Sequence, residues 1–344
     1  MAVTLQNIAE VTGVSPKTVS AILGSRAHLY RPGTRERVQN AARELGYRPN
    51  LAARSTRTGR FHGVSLLYTA EPDRAVMPPD QLVKLLTELE RHGQRLTFSR
   101  VPEDYSDGDE VPQALAESMC DGFLINFSRK PSRELNRLLQ RVNAPRVWLN
   151  TEHEFDCVRP DDRSATRDAV ARLARLGHRR VWYAQFSYPM DDRHFSADYR
   201  REAFEAAAAD FGLSMRILDT DRIAPEDRLD AAIRWLSEAD PRPTAIYCYG
   251  DEATAFLHAA ERLGRRVPDD LSLVAAGTHT KGHLDSFIAG PRHDFDALAR
   301  AAVEMLLAKI DRHCDEASAA DEPLPVVEVP MSMYCGPSLS SPPC

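Results

Sequence analysis

Short apolar runs alternate with amphipathic helical stretches over most of the chain, and this alternation constrains the fold more than any other feature. The apolar runs are typical of buried parallel strands and fall at residues 63–68, 95–98, 122–126, 146–149, 180–184, 245–249 and 271–275. Helical periodicity occurs between them, among other places at residues 81–92, 164–176, 199–211, 228–238 and 252–263. Strands that alternate with helices predict an α/β sheet with crossover helices, in which ligands bind beyond the carboxyl ends of the strands.

The first 60 residues differ from the rest of the chain in charge. They contain ten Lys and Arg residues against three Glu, whereas the whole chain of 344 residues has a net charge of −6. A basic segment joined to an acidic body is typical of a polyanion-binding module attached to a body with another function. A solvated basic face would instead predict basic residues spread along the whole chain.

Three short helices are predicted in this basic segment. Thr4 is a suitable N-cap for the first helix, which ends at Gly13, and Ser15 caps the second, with Pro16 in its first turn. The third helix runs from about residue 33 to residue 46. Apolar residues with helical spacing predict a shared core, formed by Leu5, Ile8, Ala9, Val11, Val19, Ile22, Leu23, Val38, Ala41, Ala42 and Leu45. The short turn between the first two helices has helix-turn-helix spacing.

The second helix is the predicted reader of DNA sequence. If its apolar stripe packs inward, its N-terminal end faces outward with Pro16, Lys17 and Ser20, and Lys17 is the long donor available for guanine O6 and N7. Other residues are candidates for phosphate contacts, which position a protein without reading sequence: Thr4, Thr18, Arg31, Thr34 and Asn50. Any amphipathic helix pair shows this pattern, so the pattern alone leaves DNA binding and a purely structural role open.

Residues 3 to 54 resemble the DNA-binding head of the lac repressor family of bacterial regulators nearly position by position. The matching pieces are Val3-Thr4-Leu5, Ile8-Ala9, Gly13-Val14-Ser15, Thr18-Val19-Ser20, Thr34-Arg35, Leu45-Gly46-Tyr47 and Pro49-Asn50. The resemblance implies that residues 15–23 form the recognition helix and that residues 50–60 form a hinge helix and linker, the hinge lying in the minor groove. It also adds candidate DNA-contacting residues, namely Leu5, Ser15, Tyr47, Ala53, Arg54 and Thr56.

Three departures limit what the resemblance implies. Ala21 stands where many members of the family have an arginine that contacts bases, so one direct contact is lost. The segment from residue 28 to residue 34 is one residue longer than the usual linker into the third helix. Thr56 replaces the leucine that wedges between base pairs in family members, which predicts a weaker or different kink of the duplex.

The acidic body resembles the two-lobed periplasmic-binding-protein fold. The resemblance rests on Asp161-Asp162, residues 176–181, Arg200 ahead of Ala203-Phe204, and residues 267–274. The expected fold is therefore an N-terminal all-α helix-turn-helix head plus an α/β two-lobed periplasmic-binding-protein-like body. The expected domains are the head at 1–49, the hinge at 50–60, an N-lobe at 61–158 and 290–319, and a C-lobe at 159–289 and 320–340.

Family regulators bind a small effector, often a sugar or a purine, between the lobes, and Arg200 falls where the family arginine reaches the ligand. Other effector positions depart from the family: Gly250-Asp251 retains only the aspartate of an Asn-Asp pair, and Gly277-Thr278 lacks the aspartate that binds sugar hydroxyls. Further residues at predicted strand ends are candidates for lining the cleft, although each is as readily explained by packing: Tyr68, Asn126, Phe127, Phe186 and Tyr249. The effector is expected to be a small polar molecule, with a carbohydrate modestly favoured.

Other classes of site receive little support from the sequence. The chain lacks GxGxxG, Walker and GxSxG motifs, and its six cysteines lack metal-ligand spacing, so no cofactor is expected. The clusters at His279, His283, His293 and at residues 191–194 are expected to be solvated loop residues rather than metal ligands. No targeting signal or membrane span is expected, which predicts a cytoplasmic protein. The tail lacks leucine heptads, which favours a homodimer over a tetramer.

These features predict a sequence-specific transcriptional regulator, more specifically a repressor, that binds double-stranded operator DNA and a small polar effector. One rival is a transport receptor with the same two-lobed body, which would require export and would not need the basic head. Another is an α/β enzyme, which would need a cluster of acid, base or nucleophile residues. A third is a regulator whose body is unliganded or is controlled by another protein.

Overall fold

A computed structural model of the chain describes residues 3–24, 26–48, 59–69, 77–102, 105–106, 110–116, 119–127, 132–142, 144–187, 193–277, 286–315 and 322–343. The chain divides into two compact units, Met1–Phe61 and His62–Cys344, called here the head and the body. The predicted hinge residues Asn50, Ala53, Arg54 and Thr56 lie outside the described residues.

The head contains the three predicted helices. They are α1 (Leu5–Thr12), α2 (Pro16–Ile22) and α3 (Pro32–Glu44), with a short 3₁₀ turn at Ala27–Leu29. Thr4 caps α1 in a reciprocal capping box with Asn7, and Gly13 ends α1 in the left-handed conformation, with φ of 69°. The side chain of Ser15 accepts a hydrogen bond from the backbone N–H of Thr18 at the start of α2. Local capping signals therefore determine where these helices begin and end.

The core of the head is formed mostly by the predicted apolar residues. Its buried members are Ile8, Ala9, Val19, Ile22, Val38, Ala41 and Ala42, with Leu5, Val14, Leu23, Tyr30 and Tyr47 packed against them. Two predicted core residues are wrong: Val11 is 66% exposed and Leu45 is 36% exposed. Both lie near the ends of their helices, where the stripe of helical period turns away from the neighbouring helices.

The body alternates strands and helices as predicted. Its strands are β1 (Gly63–Thr69), β2 (Arg95–Val101), β3 (Gly122–Asn126), β4 (Arg146–Leu149), β5 (Cys157–Pro160), β6 (Arg180–Gln185), β7 (Ser214–Asp219), β8 (Ala245–Tyr249), β9 (Ser272–Ala276), β10 (Gly290–Arg292), β11 (Val327–Val329) and β12 (Ser332–Tyr334). Its helices are α4 (Pro79–Arg91), α5 (Gln113–Ala116), α6 (Arg133–Arg141), α7 (Asp162–Leu176), α8 (Phe195–Asp210), α9 (Arg228–Ser237), α10 (Gly250–Arg262) and α11 (Phe295–Asp315).

Two parallel sheets organise the body into two lobes. The first sheet has six strands in the order β11-β5-β4-β3-β1-β2, and the second has four in the order β7-β6-β8-β9. A separate antiparallel ribbon pairs β10 with β12. Each parallel sheet is the centre of one lobe, with helices covering it, as strand–helix alternation requires.

Among the described residues the chain passes between the lobes at three places, and each differs from the expected domain boundary. The strand β5 keeps residues 159–160 in the N-lobe, although the C-lobe was expected to begin at residue 159. The strand β11 pairs in parallel with β5, so residues 322–329 belong to the N-lobe rather than to the C-lobe. Ala289 bridges Val274 of the second sheet, and β10 follows it directly, so the boundary near residue 290 lies a few residues later than expected. The cause is strand pairing between segments far apart in sequence, which short apolar runs do not reveal.

Each lobe has hydrophobic cores on both faces of its sheet. In the N-lobe, α11 packs Leu298, Val303 and Leu306 onto the sheet, and in the C-lobe, α10 contributes Phe256 and Ala259.

Within the described part of the chain, no helix is long and apolar enough to cross a membrane.

Candidate DNA interface and effector site

The N-terminal end of α2 forms an exposed polar surface on the head. Ser15, Pro16 and Lys17 are exposed, and Thr18 and Ser20 are half-buried. The hydroxyls of Ser15 and Thr18 lie 2.9 Å apart and hydrogen-bond to each other. Because Val19 and Ile22 are fully buried on the opposite side, the helix is held with this end toward solvent.

The remaining DNA-binding candidates within the described part of the head are exposed or partly buried. Thr4 and Arg31 are exposed and Thr34 is half-buried. Leu5 and Tyr47 pack against the core and keep part of their surface exposed. Ala21, which replaces the family arginine, is only 4% exposed, so this position of α2 packs against the head instead of contributing a polar side chain.

In the body, Arg200 on α8 is the centre of a buried polar cluster. Its Nη1 donates to Oδ1 of Asp162 and to Oγ of Ser196, both at 2.9 Å. Its guanidinium carbon lies 4.7 Å from the ring centre of Tyr249. Burial by itself lowers the pKa of Arg200, but the nearby Asp162 and tyrosines raise it by more than burial lowers it. The net pKa is therefore above its ordinary value, and the side chain stays charged.

A chain of hydrogen bonds leads from Arg200 to the N-lobe. Ser196 Oγ lies 2.8 Å from Nδ1 of His194, and Nε2 of His194 lies 2.9 Å from the carbonyl oxygen of Asn150, which follows β4. A carbonyl can only accept, so Nε2 carries the proton and Nδ1 accepts from Ser196. Burial lowers the pKa of His194, although the bond to Asn150 partly opposes this shift. Because the pKa is lowered, the ring is neutral at pH 7. We call the series Asp162, Arg200, Ser196, His194 and Asn150 the interlobe relay.

Three residues that were expected to be solvated, Arg193, His194 and His293, are enclosed instead. The other members of the two predicted clusters, Asp191, Asp192, His279 and His283, lie outside the described residues. Burial and the charge of Arg200 lower the pKa of His293 to about 4, so this histidine is neutral at pH 7. The side chain of Arg193 is 8% exposed and pairs with Asp219 and Asp198. The expectation of solvated loops at His194, Arg193 and His293 is therefore wrong, because tertiary packing encloses them. Among the described residues, no group of three or more His, Cys, Asp or Glu could hold a metal ion.

Glu252 is a buried carboxylate that sequence reasoning missed. It accepts hydrogen bonds from the backbone N–H groups of Phe186, Ser187 and Tyr249 at 2.8, 3.0 and 2.9 Å. Burial raises its pKa, and these N–H bonds partly lower it again. It ties the end of β6 to the start of α10. Glu252 is the third residue of α10, whereas the helix was predicted to begin at Glu252, so the sequence did not show this capping position.

The predicted cleft residues divide into two groups. Tyr68 and Asn126 are half-buried at the carboxyl ends of β1 and β3, and Tyr68 lines a cavity of about 190 Å³ together with Met77 and Leu82. Phe127 and Phe186 are 1% and 0% exposed and pack in the lobe cores, Phe127 against Trp148 and Phe186 against Phe256. Both are core residues and not cleft residues, because the chain after β3 and after β6 turns the next side chain into the core of its lobe.

Tyr249 is half-buried beside Arg200, whereas the side chain of Asp251 lies outside the described residues. The cluster thus brings together Arg200 and Tyr249 from the predicted set, and it adds Asp162, Ser196 and His194. The sequence identifies Asp162 only as part of the Asp161-Asp162 motif, because nothing in the sequence shows which residue pairs with a given arginine.

Two family models match the chain. Residues 4–50 match the model for bacterial regulatory proteins of the lacI family, and residues 170–332 match that for a periplasmic binding protein-like domain.

Curated relatives match along nearly their whole length. The chain is 25% identical over 327 residues to the HTH-type transcriptional repressor PurR of Haemophilus influenzae, covering 91% of this chain and 92% of the relative. It is 27% identical over 321 residues to the HTH-type transcriptional regulator PtxS of Pseudomonas aeruginosa, covering 90% and 89%. It is 24% identical over 312 residues to catabolite control protein A of Priestia megaterium, covering 87% and 91%. By their names, PurR and PtxS are regulators of transcription rather than enzymes.

Solved structures share the fold. The lac repressor dimer bound to operator and the anti-inducer ONPF superposes with a TM-score of 0.75 at 20% identity, over 98% of this chain and 99% of the other. The complex of the transcriptional regulator CelR with cellobiose superposes with a TM-score of 0.64 at 21% identity, over 98% and 99%.

Proposed function

The chain belongs to the lacI family of bacterial regulatory proteins, and on that premise we propose that it is a sequence-specific transcriptional repressor controlled by a small effector. Residues 1–49 bind double-stranded operator DNA, and two copies act as a homodimer. The body binds a small polar molecule beside Arg200. The protein works in the cytoplasm, without a cofactor and without catalysing a reaction.

The observation that carries this proposal is the exposed N-terminal end of α2 on a basic head. Lys17 is exposed at this end, while the opposite side of the helix is fully buried in the core of the head. A recognition helix needs this arrangement, because its first residues reach the base edges in the major groove. A homodimer then reads two half-sites about one helical turn, ~10 base pairs, apart.

An exposed apolar surface supports dimerisation of the body. The strand β2 is an edge strand, and its Phe98 is 55% exposed, as Val83 on α4 is 56% exposed. Edge strands and large exposed apolar side chains favour association with another chain. A symmetric dimer would cover both.

The effector site is supported by the position of the buried cluster. Tyr249 ends β8 beside Arg200, which lies in the second turn of α8, and the interlobe relay joins Arg200 to Asn150 of the N-lobe. A ligand bound here contacts both lobes, so it changes the free energy of their relative placement. The family resemblance suggests a carbohydrate, in line with the cellobiose in the complex of CelR. Binding of effector and of DNA must then affect each other reciprocally.

The first experiment selects binding sites for the full-length protein from random duplexes, followed by fluorescence anisotropy at several salt concentrations. We expect a palindromic site. Lys17→Ala should relax specificity at one position per half-site and cost about 1–3 kcal/mol on the preferred site, as loss of a base contact does.

Arg31→Ala is the matched control on the head. As a phosphate-contact variant it should weaken binding to all duplexes about equally and reduce the salt dependence by about one counterion. If no sequence is enriched by the unmodified protein, the proposed function is wrong.

A further inference from the structure

Three arginines lie at the starts of three neighbouring strands of the C-lobe sheet. Arg180 is the first residue of β6, Arg242 comes shortly before β8, and Arg265 lies in the segment that leads into β9. Nε of Arg180 donates to the carbonyl oxygen of Arg242 at 2.7 Å, and Nη2 of Arg265 donates to that of Pro243 at 3.0 Å. Two guanidinium groups therefore contact the segment that enters β8. We call Arg180, Arg242 and Arg265 the basic edge.

The charges of the basic edge have no acidic partners in the part of the chain that the structure describes. No Asp or Glu forms an ion pair with any of the three arginines there, whereas the next residue, Arg266, pairs with both Asp269 and Asp270. Oδ2 of Asp270 also accepts the backbone N–H of Arg266 at 2.8 Å. These two carboxylates are thus engaged by Arg266, and the basic edge keeps its positive charge uncompensated by ion pairs.

Arg265 shows the effect of this imbalance most clearly. It is half-buried, and its Nη1 is enclosed without a hydrogen-bond partner. Burial lowers the pKa of Arg265, and the positive charge of Arg242 lowers it further, although Asp270 partly opposes this shift. An anion beside Arg242 would relieve this repulsion, because charges interact more strongly where the protein excludes water.

The basic edge is open to solvent and lies apart from the cluster around Arg200. The side chains of Arg180 and Arg242 are exposed. Tyr249, which contacts Arg200, is the last residue of β8, whereas the basic edge lies before the first residue, Ala245. Because a strand rises about 3.3 Å per residue, the five residues of β8 separate the two places by roughly 16 Å. A ligand at the basic edge is therefore distinct from one beside Arg200.

We propose that the basic edge is a second ligand site of the body and that it binds a phosphate group. A phosphate dianion has enough negative charge and acceptor oxygens for two guanidinium groups, so Arg180 and Arg242 both donate to it while its charge stabilises Arg265. A single carboxylate fits less well, because it compensates only one of the three positive charges. Free phosphate and a phosphate monoester share this chemistry. The inference does not rest on the proposed function, since the basic edge is separate from the head and from the effector cluster.

The test is isothermal titration calorimetry on the full-length protein at neutral pH and constant ionic strength, with chloride as the balancing anion. The ligands are inorganic phosphate, glycerol 3-phosphate, sulfate as a dianion of the same shape, and acetate as a monocarboxylate. We expect phosphate and sulfate to bind, and acetate to bind at least about 10-fold more weakly, the lower end for hydrogen bonds to a charged group. Tighter binding of glycerol 3-phosphate would support the site as one for phosphorylated small molecules, and tighter binding of inorganic phosphate as one for the free ion.

Two variants of the basic edge localise the binding. Arg242→Gln removes an exposed guanidinium group and should lower phosphate affinity about 10-fold or more. Arg265→Gln keeps an amide donor but removes the charge, and it should lower the affinity as well. Arg167→Gln is the matched control on the C-lobe, because it removes the same charge from an arginine that is paired with Asp210. Arg31→Gln is the control on the basic head, and neither control should change the affinity.

Three results would overturn the inference. They are no binding of phosphate at millimolar concentration, equal affinities for phosphate and acetate, and an undiminished phosphate affinity in both Arg242→Gln and Arg265→Gln. Thermal unfolding confirms that each variant is folded. Operator binding is measured on the same protein samples, and if it persists in any of these cases, the proposed regulator stands and only the phosphate site fails.

Discussion

At the scale of single residues, an Asp–Arg ion pair contributes differently to stability depending on whether it is buried or exposed to water. Asp162 and Arg200 are 5% and 8% exposed in their side chains and lie 2.9 Å apart. Asp210 and Arg167 are 55% and 53% exposed and also form an ion pair. Water solvates the second pair in both the folded and the unfolded state, so its net contribution is small, whereas the first pair has lost that solvation.

Neutralising one member of each pair should therefore have unequal effects. Asp162→Asn leaves Arg200 buried without its counter-charge and should lower the free energy of unfolding by roughly 3 kcal/mol. Asp210→Asn should change it by less than about 1 kcal/mol. Chemical denaturation of both variants beside the unmodified protein measures the difference, and equal values would contradict the assignment of Asp162 as the buried counter-ion of Arg200.

At the scale of elements, the head depends on how its short helices end. The helix α1 has only eight residues and ends at Gly13 with φ of 69°. The helix α3 has thirteen residues, with Gly33 in its first turn. A Cβ at either glycine would meet nothing within 4 Å, so the two positions differ in backbone conformation and not in available space.

Replacing each glycine by alanine isolates that conformational effect. Gly13→Ala should destabilise the head by about 1 kcal/mol or more, because an L-residue is strained in the left-handed region. Gly33→Ala should be neutral or stabilise it by up to about 1 kcal/mol. Hydrogen exchange of the α1 and α3 amides in the full-length protein reports both values. Equal effects would mean that the turn between α1 and α2 does not need the left-handed conformation.

At the scale of the whole molecule, communication between the lobes has an identifiable physical link. Among the described residues the chain crosses between the lobes at three places, and the interlobe relay connects Arg200 on the C-lobe to the carbonyl of Asn150 on the N-lobe. A ligand that moves Arg200 also acts on Ser196 and His194, and through them on the placement of the N-lobe.

Interrupting this relay should reduce the coupling between effector and DNA. His194→Phe retains a ring of similar size but cannot bond to Ser196 or Asn150. The factor by which effector changes operator affinity, commonly 5- to 150-fold in such systems, should fall toward one. Thr166→Val, which removes a buried hydroxyl bond to Tyr247 within the C-lobe, should leave the factor unchanged. Anisotropy titrations with and without effector measure the factor, and unchanged coupling in His194→Phe would show that the relay does not carry it.

Much of the fold could be predicted from the sequence because its signals are local. Thr4, Gly13 and Ser15 mark helix ends within a few residues, and the apolar runs of β1, β6 and β8 need no partner to be recognised. The exposed position of Lys17 likewise followed from the period of a single helix. For Phe127 and Phe186 the sequence left packing and cleft lining open, because the end of a strand does not show whether the next side chain enters the core or the cleft, and both side chains are buried.

The sequence by itself determined the helix-turn-helix head, the α/β class of the body and the charge difference between them, since caps, periodicity and charge are properties of neighbouring residues. Only the tertiary structure decided that β11 pairs with β5, that Asp162 is the partner of Arg200 38 positions away, and that Tyr249 covers Gly277. These contacts depend on how distant segments pack together, and a buried charge or an open backbone position acquires its role only from the neighbours that packing brings to it.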